Sequence, residues 1–159
     1  MKSQLVLVLV AACGASAAEV KTAKTATYKM RPLELMELSE QVASEDYKIA
    51  DANDAELTFI TQPQWYGPEG DRESPGAGGF VTMQDRSVEV SLIVQVTAME
   101  SGDAMVTVTP KTFQEIKGYP KPRELAPDDP NLPGWVHGRA DALALAIYDK
   151  AKPYVDKQP

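Results

Sequence analysis

Residues 87–99 read SVEVSLIVQVTAM, and this stretch constrains the fold more tightly than any other. Val88, Val90, Leu92, Val94, Val96 and Ala98 recur at every second position, with Glu89, Ser91, Gln95 and Thr97 between them. A period of two fits a β-strand with one buried and one wetted face, and it defeats a helix. Ile93 and Met99 interrupt the polar side, which points to partial cover there. Ser101-Gly102-Asp103 supplies turn chemistry, and AMVTVTPKTF returns from Ala104 to Phe113 as a partner strand. Together they predict an antiparallel hairpin spanning Arg86–Phe113.

A sheet with one apolar face needs a covering layer, and two amphipathic segments can provide it. In RPLELMELSEQVASEDYKI, Leu35, Leu38 and Val42 follow helical spacing, with Leu33 and Met36 widening the stripe. Pro32 suits the first helical position, and Glu34 and Glu37 complement the positive end of the dipole. The pattern predicts a helix from Pro32 to about Asp46. HGRADALALAIYDKAKPYV, from His137, predicts a second one: Ala140, Leu143, Ile147 and Ala151 share a face, Lys150 and Lys152 sit at the negative end, and Pro153 stops it.

The other segments fill in the order. Thr25–Met30 reads as a first strand with Ala26, Tyr28 and Met30 on one face. Asp51-Ala52-Asn53-Asp54 reads as a turn. In ELTFITQPQWY, Leu57, Phe59 and Thr61 alternate with Thr58, Ile60 and Gln62, and Pro63 limits the strand. Gly67–Gly79 is a glycine-rich loop that lacks the Lys-Ser/Thr ending of a phosphate cradle. Five prolines between Lys117 and Pro133 predict an extended surface segment. The fold class predicted is α+β: a single domain, antiparallel sheet in the order β-α-β-β-β-α, helices on one face, covering residues 26–155.

The N-terminus reads as an address. Lys2 precedes the apolar run Leu5–Ala12, which has signal-peptide length and is far short of the ~20 residues that span a bilayer. Two cleavage schemes compete. Ala15-Ser16-Ala17 is a small-residue site that would release a chain beginning at Ala18. Val10-Ala11-Ala12-Cys13 resembles the bacterial lipobox, whose cysteine takes a thioether-linked diacylglycerol and becomes the new N-terminus. Cys13 is the sole cysteine, and an uncapped thiol is a liability in an oxidising compartment. The lipobox reading is preferred: residues 1–12 form the signal peptide and 13–25 a flexible tether. In Gram-negative lipoproteins, a residue other than Asp after the cysteine, here Gly14, implies the outer membrane.

The layout resembles the helix-grip-type small domains of bacterial envelope lipoproteins, the BamC-like group. The resemblance is carried by the helix from Pro32, by YKIADANDAELTFITQPQW running out to Trp65, and by the hairpin Arg86–Phe113. It implies an envelope role and transfers no site residues.

A net charge of −7 argues against nucleic-acid binding, which needs clustered Lys and Arg. One histidine and one cysteine cannot build a multi-His site or an internal disulfide. His137, with Asp141 one turn on and Asp128 and Asp129 before it, is the natural catalytic suspect. With no nucleophile in a recognisable context, an exposed His at a helix start is the plainer reading. Glu45/Asp46, Asp51/Asp54 and Asp128/Asp129 lack EF-hand spacing and read as solvated turns. No catalytic residue, metal ligand or cofactor is assigned.

Trp65, Tyr66, Tyr119 and Trp135 fall in or beside loops and form the candidate binding patch, since aromatics dominate interface hot spots. For Trp135, clamping a loop through its indole N–H is the favoured role. The expectation is a non-enzymatic, lipid-anchored periplasmic accessory or scaffold, attached to the membrane at Cys13 and contacting other envelope proteins. The alternative is a carrier for a small apolar ligand held between the last helix and the sheet.

Overall fold

A computed structural model describes residues 15–73 and 83–156. Residues 1–12, read above as a signal peptide, Cys13 and the far part of the 67–79 loop lie outside the described residues.

The long hairpin organises the sheet. β1 (Thr27–Tyr28), β2 (Ile49–Asn53), β3 (Thr58–Thr61), β4 (Gln64–Tyr66), β5 (Val88–Ala98), β6 (Ala104–Gln114) and β7 (Arg123–Leu125) form one antiparallel sheet. β5 and β6 pair along their full length, from Val88↔Gln114 to Ala98↔Ala104. Each is flanked outside by two short strands laid end to end. β3 and β4 occupy the far side of β5, and β1 and β7 the far side of β6, with β2 at the edge beyond β3.

Pro63 explains the first of these splits. It has no N–H to donate, so the ladder stops between β3 and β4. The N–H of Leu92 donates instead to the Thr61 hydroxyl at 2.9 Å. Thr61 is 1% exposed, so a side chain inside the core replaces a missing strand partner.

Two helices, α2 (Pro32–Ala43) and α3 (Gly134–Ala151), stand on the face formed by Val88, Val90, Leu92, Val94 and Val96, and a third, α1 (Ala17–Thr25), packs against α3. Leu35, Met36, Val42 and Ala43 of α2, and Val136, Ala140, Leu143, Ile147 and Ala151 of α3, are buried there with Tyr28 and Phe59. The α+β class, the antiparallel sheet and the one-sided helices all stand.

Several expectations are corrected. Residues 17–25 are a helix and not a flexible tether. Ser16 caps it: its side chain accepts from the Glu19 N–H at 3.2 Å, and the Glu19 carboxylate accepts from the Ser16 N–H at 2.8 Å. This capping box fixes the first turn. Ala23 is buried and Lys24 bonds Asp141 of α3 at 2.8 Å, so the helix owes its stability to docking as well as capping. The short, small-residue sequence hides this, because its inward face is only Val20 and Ala23.

Asp51–Asn53 belongs to the exposed edge strand β2 instead of a turn; its charge keeps that edge unattractive to further strands. The turn lies three residues later, at 54–57. The Asn53 side-chain oxygen accepts from the N–H groups of Ala55 and Glu56, and Leu57 takes a left-handed φ of 53°. Leu57 therefore leaves the strand alternation that Phe59 and Thr61 keep. Leu33 of α2 is exposed, and α2 ends at Ala43, not near Asp46. The proline-rich segment holds a three-residue strand, β7, at the sheet edge. α3 begins at Gly134, ahead of His137, with Pro133 as its cap residue.

Residues 155 and 156 pair with β1. Tyr28 bridges Val155, the Asp156 N–H donates to Thr27 at 2.9 Å, and Lys29 pairs with Asp156 at 2.6 Å. Among the described residues no helix is long and apolar enough to cross a membrane.

Candidate binding cleft

The earlier start of α3 changes the meaning of Trp135. It lies in the first turn, one turn before Arg139, so both side chains share a face. The Trp135 indole N–H donates to the Pro68 carbonyl at 2.9 Å, and Arg139 Nη2 donates to the Gly70 carbonyl at 2.8 Å. The two fasten residues 67–70, which themselves turn through Gly70 N–H to Gly67 O at 2.9 Å. Gly70 adopts φ +93° with the Trp135 ring against it. The chain then returns to bridge Tyr66 with Arg72.

Behind this clamp the Tyr66 ring lies 5.4 Å from that of Trp135, centroid to centroid, and the Arg139 guanidinium stacks 4.0 Å above Tyr66. Such cation–π contact is worth about 0.5–2 kcal/mol. Tyr47 lines the same hollow as Arg139. Burial, the largest influence on the Tyr47 phenol, pushes its pKa up, and Arg139 opposes the shift. Arg72 Nη2 donates to Gln64 Oε1 at 2.8 Å.

These side chains wall two adjoining hollows that share Asp46, Tyr47, Tyr66 and Arg72. One, of about 580 Å³, runs beneath Trp135, Gly138 and Arg139. The other, of about 330 Å³, extends past Glu45, Lys48 and Gln64. The cleft thus sits where α2 ends, β3 breaks into β4, and α3 starts.

The four predicted aromatics do not form one patch. Tyr66 and Trp135 come together in the cleft. Trp65, its neighbour on β4, points to the opposite face of the sheet, where it lies beside Glu89, its cross-strand partner. Tyr119 is 67% exposed in the turn after β6. Among the described residues, Tyr66 and Trp135 are the one ring pair in contact.

His137 is exposed on α3. The Asp141 carboxylate is engaged by Lys24, and Asp129 by Arg123 and Asn131, so neither acid is spent on the ring. Sequence reasoning missed Tyr47, Arg72 and Arg139. A Trp and an Arg four residues apart are legible only once the helix is known to start before both.

No protein-family model matches this chain, and a search of curated proteins finds no match.

Proposed function

We propose that this chain is a non-enzymatic accessory protein of the bacterial cell envelope, lipid-anchored at Cys13 on the periplasmic face of the outer membrane. It binds other envelope components through the cleft around Tyr47, Arg72 and Arg139. The observation that carries the anchoring is the position of α1. Gly14 and Ala15 alone separate Cys13 from the cap residue Ser16, so processing at Cys13 keeps the capping box whole. Cleavage after Ala17 would remove Ser16 and cut the first turn of a docked helix. The lipobox is thus the processing site compatible with an intact α1.

The rival carrier reading needs room between α3 and the sheet. Val136, Ala140, Leu143, Ile147 and Ala151 fill that space, each 5% exposed or less.

Intact mass of the membrane-associated protein, wild type against Cys13→Ser, tests the anchor. An N-terminus at Cys13 carrying acyl mass, with processing lost in the variant, is the expected result. A chain starting at Ala18 in both would defeat it. A photo-crosslinker at Tyr47 in native cells should capture an envelope component that the same group at Tyr119 does not.

A further inference from the structure

We propose that the cleft recognises the carboxylate of a singly charged ligand, through the guanidinium groups of Arg72 and Arg139. This deepens the envelope-binding reading and rests on the cleft being its binding face; it is independent of what happens at Cys13.

The charge balance is the starting point. Among the described residues, neither guanidinium has a carboxylate within ion-pair distance. Arg139 is only partly exposed, and its Nε is buried with no acceptor among the described residues. Its charge is met by the rings of Tyr66 and Trp135 and by one backbone carbonyl, and by no anion among the described residues. A half-buried cation so poorly compensated is costly, and a ligand anion beside it would relieve that cost.

The geometry suits a planar oxyanion. Guanidinium groups present forked donors that match carboxylate and phosphate, and two of them open onto one hollow together with the Tyr47 hydroxyl. The walls decide between the two anions. Lys48, Arg72 and Arg139 line the joined hollows together with Glu45 and Asp46, leaving an excess of a single positive charge. That matches one negative charge. A phosphate dianion would meet Asp46 with nothing further to neutralise it.

Two independent features hold the donors in place before any ligand arrives. Arg139 is stacked and bonded to Gly70, and Arg72 is fixed by Gln64 and by the Tyr66 bridge. Preorganised donors lose little entropy on binding.

The test is a titration of the full chain, purified in detergent and carrying Trp65→Phe so that Trp135 is the sole fluorescent indole. The probes are N-acetyl-alanyl-alanine, its C-terminal amide, glucuronate and inorganic phosphate. The acid should give a saturable change, and the amide should bind at least about tenfold more weakly, the scale of one lost charged hydrogen bond. Saturation by glucuronate too assigns the carboxylate alone; failure of glucuronate assigns a peptide terminus. Arg72→Gln, at an exposed side chain that makes neither of the bonds from α3 to residues 68 and 70, should weaken the acid by a similar factor with little change in unfolding, and Arg139→Lys should do so by removing the fork. Equal response to acid and amide, response to phosphate alone, or no response overturns the proposal. A crosslinked partner at Tyr47 with no carboxylate response would keep the envelope reading and discard this one.

Discussion

A Cβ on Gly70 would lie 2.9 Å from Cδ2 of Trp135, so ring and glycine occupy each other's only available space. With φ at +93°, the position is closed to other residues twice over, by contact and by backbone strain. Gly70→Ala should therefore cost about 2–4 kcal/mol in chemical denaturation, combining the left-handed penalty with overpacking. Gly102→Ala has a similar φ of +86° in open space, and should cost only about 1–2 kcal/mol. Equal losses would mean that the Trp135 contact carries no weight.

Thr61 gives a sharper test of the core. Thr61→Val keeps shape and removes the acceptor for the Leu92 N–H. We expect a loss of about 1–3 kcal/mol, the cost of a buried unsatisfied donor. Thr58→Val is the comparison: Thr58 donates to the Val94 carbonyl at 3.0 Å from a part-buried position. Its loss should be smaller, by urea denaturation of both.

Ser16→Ala removes one half of the α1 capping box. The helix should fray, with amide exchange rising over residues 17–25 and a stability loss of about 1 kcal/mol. Exchange in α2 should not change. The Glu19 carboxylate, held below its usual pKa by bonds to Ser16, gives the same cap a pH signature. A depressed acid contributes stability above its unfolded pKa that is lost as pH falls through the folded one. Protection of α1 should drop in that acidic window in wild type and change little in the variant.

Glu89 titrates with the opposite sign. Burial, partly offset by the Trp65 indole, pushes its carboxyl above the ordinary 4.5. The native state then holds the proton more tightly than the unfolded chain, so stability falls as pH rises from about 4.5 through the raised folded value. Glu89→Gln keeps the size of the side chain and removes the charge. It should raise the melting temperature at neutral pH and flatten the slope in that interval. A variant that melts lower at pH 7 would show the charge to be favourable where it stands.

How much of this was legible depended on how local the determining interactions are. The hairpin, both long helices and the one-sided cover follow from periodicity, because each element's apolar spacing already names its buried face. Asn53 and Leu57 show the limit: a side-chain cap moved the turn by a few residues and made a strand of Asp51–Asn53. α1 is hidden in the sequence because Val20 and Ala23 are a weak signal until α3 lies beside them. Trp135 was placed just outside the last helix, and that three-residue error concealed its partnership with Arg139.

The sequence by itself determined a one-sided antiparallel sheet with helical cover, since alternation and helical spacing are set by neighbours along the chain. The cleft was decided by tertiary structure alone. Tyr47, Tyr66, Arg72 and Arg139 come from four separate segments, and a broken strand, a positive-φ glycine and a helix start bring them together. No spacing in the chain encodes that meeting, because the charge and ring contacts form only after the core has fixed where each segment ends.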